Sequence, residues 1–421
     1  MMKQTIAVIG SGSVFTPELV SLLAHEKNIF MGTKLQFYDT DPMRQEIVAG
    51  FCGRLIVAAN SDLEITCHDS VESCVHGADF VLLQLRQGGQ KLRIEDEKLG
   101  RKYRIPFVET VSVCGFSTFL RTYYEFEILA SIIKRQAPGA WVLNFTNPTG
   151  QLTETLAGMG IEKVVGVCNS WIGAKHQLAA LAGVDPQTLF LHWRGLNHLT
   201  VVDRATDMSG RDILPEILRS LPDKGITMSF ENSLLKSLGS IPNSYVQYYF
   251  HSKKMIDKLH STEKLRSEEV LNINNELLET YRTANTLPEK LKQRGGYGYS
   301  HAVVGIIKSM CQNDGGHHAA VVRNNGCISF LPIDAYIESV CVVYSDGIYP
   351  LCMPPVPEYI RALMFGVKIY EASAICGAKE RSKDLLLRSL MAHPLLNDYG
   401  IAEPLLDDCL EINRDYLPKI T

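Results

Sequence analysis

The sequence predicts an α/β fold: a doubly wound parallel sheet over residues 1–190, followed by an α+β domain over residues 191–421. Three observations carry that prediction. Short apolar runs alternate with longer amphipathic stretches in the first half, as expected of strands buried on both faces between crossover helices. A glycine-bearing turn lies between the first apolar run and the first helix. After about residue 190, strand-like pieces stand among long helical stretches instead of alternating regularly. At 421 residues, with 46% hydrophobic and 21% charged, the chain is long enough for two domains and apolar enough to bury a core.

The first-half strands are Thr5–Ile9, Leu35–Asp39, Phe80–Gln84, Trp141–Phe145 and Val164–Cys168. Thr122–Arg135 has helical apolar spacing and stops before Pro138 and Gly139. From about 190 onward, Leu189–Trp193, Leu199–Asp203, Ala319–Arg323 and Ser339–Tyr344 read as strands. Ser267–Thr283 and a C-terminal stretch to about Arg414 read as helix. His317-His318, after Gly315-Gly316, reads as a solvent-facing loop.

Ile9-Gly10-Ser11-Gly12-Ser13 follows the first strand, and a helix starts near Thr16-Pro17-Glu18, with proline early and an acidic residue in its first turn. Such a turn lets the backbone approach a pyrophosphate at a helix N-terminus, and makes the sheet Rossmann-type. Phe15 stands where the fingerprint's third glycine is expected. The second strand ends in Asp39, where an acidic residue takes the ribose hydroxyls of NAD and repels the 2′-phosphate of NADP; Asp41 competes for that role. Gly10, Gly12, Ser13 and Asp39 are therefore the candidate cofactor contacts.

Lys+Arg total 42 against 46 Asp+Glu, so no basic excess points to nucleic acid or a membrane surface. No apolar run reaches the ~18–20 residues of a membrane span, and Met1-Met2-Lys3-Gln4 leads into a strand rather than a cleavable leader. Eleven scattered cysteines without a CxxC pair suggest a reducing cytoplasm.

Ligands of open α/β sheets bind outside the carboxyl ends of the strands. There the sequence places Arg86-Gln87-Gly88-Gly89 with Arg93 and Asp96-Glu97, then Thr146-Asn147-Pro148, then Cys168-Asn169. Gly195-Leu196-Asn197-His198 follows thirty residues later. Cys168 and His198 are each readable as buried structural residues; together they are also readable as an open metal site of thiolate and imidazole. Tyr245, after Pro242-Asn243-Ser244, is placed to present its hydroxyl to a cavity.

Taken in order, these pieces resemble glycoside hydrolase family 4, the NAD- and metal-dependent glycosidases. The carrying residues are Ile9–Ser13 with Thr16-Pro17-Glu18-Leu19, Arg86-x-Gly88-Gly89 with Arg93 and Asp96-Glu97, and Asn144-Phe145-Thr146-Asn147-Pro148. Gly166-Val167-Cys168-Asn169, Gly195–His198, Ile241–Tyr245 and Gln293-Arg294-Gly295-Gly296 complete the set. The likeness spans nearly the whole chain and is nearest the 6-phospho-β-glucosidase branch, which has asparagine after the cysteine. It implies a lactate/malate-dehydrogenase-like α+β C-terminal domain and a homo-oligomer, dimer or tetramer. It also implies that Cys168 and His198 hold a divalent metal, usually manganese, and that Tyr245 is a base. Arg93, Asn147, Asn169 and, in looser surroundings, Arg266 would bind a small-molecule sugar phosphate.

The implied reaction differs from the two-carboxylate glycosidases. NAD removes hydride from carbon 3 of the sugar, the ketone acidifies the carbon 2 proton, and tyrosine takes it. The aglycone leaves from carbon 1, water adds and the hydride returns, so NAD is not consumed. A thiolate ligand would make activity depend on reductant. The chain departs from the family in Phe107–Phe116, where Glu109 and Thr110 survive but a glutamine and most glycines do not, and at His301 in Tyr297–His301, where relatives of this branch often carry an acidic residue. Both departures bear on substrate identity, in a segment expected near the nicotinamide and the sugar. Two other readings stand beside this one: a lactate/malate-type dehydrogenase, which would release NADH, and a non-catalytic NAD- or sugar-phosphate-binding protein.

Overall fold

The computed structural model describes residues 3–296 and 298–421; Tyr297, first of the departing Tyr297–His301 segment, lies outside the described residues. One twelve-stranded sheet runs through it. Its first six strands are β1 (Thr5–Ile9), β2 (Lys34–Tyr38), β3 (Glu64–Cys67), β4 (Phe80–Leu83), β5 (Trp141–Asn144) and β6 (Val164–Gly166). They are parallel and lie in the order β3-β2-β1-β4-β5-β6, the dinucleotide-binding arrangement whose strand order reverses between β1 and β4.

The sheet then continues antiparallel through β7 (Phe190–Leu196), β8 (Leu199–Thr206), β9 (Ile241–Pro242), β10 (Gly316–Arg323), β11 (Tyr336–Val343) and β12 (Ile348–Pro350). β10 pairs β6 through Val321 and Gly166, so the two halves of the chain share one sheet. His317 and His318 lie in β10, not in a loop: His317 is exposed on the strand, and the His318 imidazole meets Ser309 Oγ at 2.9 Å. The strand persists there because both residues pair with β11, at Val342 and Cys341.

The longer helices are α1 (Thr16–His25), α2 (Pro42–Ala58), α3 (Gly89–Lys102), α4 (Val113–Gln136), α5 (Thr149–Gly158) and α6 (Ser170–Ala182). After them come α7 (Arg266–Tyr281), α8 (Tyr299–Gln312), α9 (Glu358–Glu380), α10 (Lys383–Ala392) and α11 (Tyr399–Ile412). Alternate residues of β1 and β4 enter opposite cores: Ala7, Ile9, Val81 and Leu83 on one face, Ile6, Val8, Phe80 and Leu82 on the other. Two covered faces explain why these strands are apolar throughout. Among the described residues no helix is long and apolar enough to cross a membrane.

One buried ion pair fixes the floor under the carboxyl ends of the strands. Arg121 of α4 donates to both Asp96 oxygens of α3, at 3.0 and 2.6 Å, and to the Gln87 carbonyl at 2.8 Å. Neither side chain of the pair is exposed. Arg121→Ala would leave the Asp96 carboxylate buried without its counter-charge, and is expected to cost about 3–5 kcal/mol. A denaturant midpoint close to that of the unsubstituted protein would contradict this.

Candidate active site

A cleft of about 1140 Å³ opens along the carboxyl ends of β1, β4, β5 and β6. That exceeds the ~300–1,000 Å³ of ordinary small-molecule pockets and suits a dinucleotide with a second ligand. Gly10, Ser13, Asp39, Arg93, Asn147, Cys168, Asn169, His198, Tyr245 and Arg266 all line it. Gly12 is not among the lining residues; its role in the loop is different.

At the outer end the glycine loop is held by Asp39. The Gly12 N–H donates to Asp39 Oδ2 at 2.8 Å and the Asp41 N–H to Oδ1 at 2.9 Å. A Cβ on Gly12 would lie 2.8 Å from Asp39 Oδ2, so only glycine allows this approach. Gly10 has φ +89° and packs so close to β4 that a Cβ would meet the Gln84 carbonyl oxygen at 2.7 Å. Asp41 caps α2 by accepting from the Arg44 N–H at 3.1 Å, which leaves Asp39 as the carboxylate facing the loop. Phe15, in place of a third glycine, lines the cleft beneath the Arg294 guanidinium, 5.2 Å from its ring centre. Buried Glu18 ties α1 to the far wall by accepting from the Gly298 N–H at 3.0 Å and from Ser300 Oγ at 2.8 Å.

At the inner end, Cys168 and His198 meet although thirty residues separate them. Cys168 follows β6, and His198 sits at the turn between β7 and β8 with φ +62°. Cys168 Sγ lies 3.5 Å from His198 Nε2. Thr110 Oγ1 contacts His198 Nδ1 and fixes the ring's rotation. Behind the turn, buried Glu338 of β11 accepts from Asn197 Nδ2 and Trp193 Nε1, both at 2.7 Å. The Tyr245 ring stacks on the His198 ring, centres 4.1 Å apart and planes at 6°. Its backbone N–H donates to Asn243 Oδ1 at 3.0 Å, and Asn243 Nδ2 donates to Thr200 Oγ1 at 3.1 Å, so β8 carries the tyrosine beside the histidine.

Burial sets the protonation of this trio. It pushes the His198 imidazole down to about 4, leaving a neutral ring. Burial first, then the Glu338 carboxylate, pushes the Cys168 thiol up to about 12. Burial, Glu109 and Cys168 hold the Tyr245 phenol well above its ordinary value, with Arg93 opposing. Among the described residues no cluster of three His, Cys, Asp or Glu side chains is arranged for a metal. Cys168 Sγ and the neutral His198 ring are donors of the kind a divalent cation takes, and both border the cleft, where further positions would be open.

Between the two ends lies a cationic wall that sequence reasoning only partly found. Arg86 pairs with Glu109, Arg93 Nη1 lies 3.6 Å from Glu109 Oε2, and Arg93 Nε donates to Glu97 at 3.2 Å. Burial would raise the Glu109 carboxyl, but Arg86, Arg93 and Arg294 outweigh it and hold the group well below the carboxylate range. Burial and the neighbouring Arg86 push Arg294 down to about 9, as expected where guanidiniums outnumber their counter-ions. Arg266, about half exposed, guards the rim, where it pairs with Glu269 at 2.9 Å and donates to the Gln293 carbonyl at 2.8 Å. The motif Gln293-Arg294-Gly295-Gly296 was the signal for Arg294, and Glu109 sits at the tip of the hairpin Phe107–Val108/Val111–Ser112 inside the altered segment.

Of the departing segment, Tyr299 and Ser300 line the cleft, while His301 is exposed and does not. It lies in the first turn of α8, whose periodicity turns it away while Ser300 faces Glu18.

Profiles of two families match the chain: "Family 4 glycosyl hydrolase" over residues 5–184, and "Family 4 glycosyl hydrolase C-terminal domain" over residues 193–396. A 6-phospho-beta-glucosidase BglT of Thermotoga maritima is 36% identical over 420 residues, 98% of this chain and 99% of that protein. The structure of the 6-phospho-beta glucosidase from Thermotoga maritima with manganese, NAD+ and glucose-6-phosphate superposes with a TM-score of 0.91 at 35% identity, covering 98% of this chain and 99% of that one. A malate dehydrogenase from Plasmodium falciparum shares the fold, with a TM-score of 0.55 at 15% identity over 91% and 99% of the two chains.

Proposed function

Given that the chain belongs to glycosyl hydrolase family 4, we propose that it hydrolyses 6-phosphorylated β-glucosides with NAD and a divalent cation, manganese being the family's usual choice. The observation that carries this is the joining, in one cleft, of the Gly10–Asp39 loop to the Cys168–His198–Tyr245 cluster through a wall of arginines.

Gly10, Ser13 and Asp39 hold the dinucleotide; the Asp39 carboxylate accepts from ribose hydroxyls and repels a 2′-phosphate. NAD, when bound, supplies a hydride acceptor for carbon 3 of the sugar and returns the hydride at the end. A divalent cation held by Cys168 and His198 supplies Lewis acidity toward the adjacent sugar oxygens. Arg93 and Arg266, both of which act on the Arg294 guanidinium, grip the phosphate with it, and the phosphate's charge relieves their mutual repulsion. Asn147 and Asn169, after β5 and β6, orient sugar hydroxyls. Tyr245 Oη removes the proton from carbon 2; positive charge beside the His198 ring lowers the cost of forming tyrosinate. The aglycone leaves carbon 1, water adds there, and NAD is regenerated. The protein works in the cytoplasm as a homo-oligomer; exposed Phe365 and Ile369, one turn apart on α9, support the assembly.

The test is release of a chromogenic aglycone from a β-glucoside 6-phosphate by the reduced protein, with NAD or manganese omitted in turn and the α-anomer alongside. Hydrolysis that needs both additions and yields no net NADH is expected. Accumulating NADH would instead point to a dehydrogenase. Glu338 offers a separate check. Glu338→Leu frees the Asn197–His198 turn without touching the cleft, and is expected to weaken manganese binding by about 10–100-fold, read by electron paramagnetic resonance of the metal alone.

A further inference from the structure

Cys327 and Cys352 face each other outside the cleft, their sulfurs 2.9 Å apart. Less than 1 Å of approach separates that distance from a disulfide bond of about 2.05 Å. Both backbones are fixed by other contacts, so the fold brings the thiols together. The Cys327 loop is knotted around buried Asn324, which donates to the carbonyls of Ile328, Leu331 and Pro332 and accepts from the Ile328 N–H. Cys352 follows β12, which pairs with β11 from Val343 to Cys341. Cys327 Sγ also lies 3.6 Å from the Pro350 carbonyl oxygen. Cys352 is exposed and Cys327 half-buried, so a small oxidant can reach the pair. Cys168, by contrast, is buried.

We propose that Cys327 and Cys352 form a reversible intramolecular disulfide, a modification site that reacts with low-molecular-weight disulfides. The exposed Cys352 thiolate attacks one sulfur of the reagent, forming a mixed disulfide and releasing the first small thiol. Cys327 then loses its proton to solvent and attacks Cys352 Sγ, and the second small thiol departs. The protein gives up two electrons and two protons, and the reagent is reduced to two thiols. The new bond encloses all of β11, the strand whose Glu338 supports the Asn197–His198 turn. Neither sulfur borders the cleft, so the bond clamps that strand from outside without obstructing ligands.

The test uses the full, reduced chain with oxidised glutathione, followed by alkylation and peptide mapping. Cys67 and Cys376, also exposed, serve as internal controls for simple adduct formation. The expected product links the Cys327 and Cys352 peptides, lacks two hydrogens and carries no glutathione, while Cys67 and Cys376 carry adducts. In Cys327→Ser, Cys352 should retain glutathione; in Cys352→Ser, Cys327 should stay reduced under the same treatment. A stable glutathione adduct on Cys352 of the unsubstituted protein would overturn the proposal. So would a pair that remains alkylatable while the two controls react.

Discussion

Cys168→Ala is expected to lower hydrolysis by about 10³-fold or more and to abolish tight manganese binding. Loss of Lewis-acid stabilisation amounts to several kcal/mol, and each ~1.4 kcal/mol is tenfold in rate. The magnitude follows from the site's thinness: in the proposed site Cys168 and His198 are the two donors, 3.5 Å apart, and among the described residues no third His, Cys, Asp or Glu completes a metal cluster. Removing one of two protein ligands leaves a lone imidazole. The change is small for the fold, because the side chain stands after β6 on the cleft wall rather than inside either apolar core layer. Manganese titrations followed by paramagnetic resonance, beside turnover with and without added metal, separate binding from chemistry. A variant with unaltered turnover at limiting manganese would remove Cys168 from the mechanism.

Tyr245→Phe is expected to lower kcat by about 10²–10⁴-fold with little effect on KM or on metal binding. The ring stack on His198, centres 4.1 Å apart, survives the substitution, and so does the backbone hydrogen bond to Asn243. Only the hydroxyl is lost, so the deficit belongs to proton transfer and not to architecture. Buried beside Glu109 and Cys168, the phenol resists ionisation. Its ionisation must therefore coincide with arrival of positive charge at the His198 side of the ring, which ties base strength to the loaded site. Exchange of the carbon 2 proton with solvent reports the step directly. It should vanish in Tyr245→Phe, and continued exchange at the original rate would assign the base elsewhere.

β1, β4, β5 and β6 were readable because both faces of each are covered, which makes the runs almost continuously apolar. β3, Glu64–Cys67, was not read: it is an edge strand with three of its four residues exposed, and carries no such run. The glycine turn was legible, but the reason for Gly12 was not. Its close approach is to the Asp39 carboxylate, which arrives from the next strand. Arg294 appeared in a motif without a role, since its role arises only where Arg86 and Glu109 meet it from segments far away in sequence. His301 stood out as a departure from the family pattern; helical periodicity faces it outward, while Tyr299 and Ser300 of the same segment line the cleft.

By itself the sequence determined the α/β class, the glycine turn and the polar candidates that follow the strands at their carboxyl ends. Those signals are local: hydrophobic period, turn chemistry and side-chain identity. Tertiary structure alone decided that Cys168, His198 and Tyr245 converge. It also decided that Glu338 supports the histidine turn from behind, and that Glu109 is held ionised by the arginines around it. Distances between residues thirty to two hundred positions apart are set by sheet order and packing, and no short window of sequence records them.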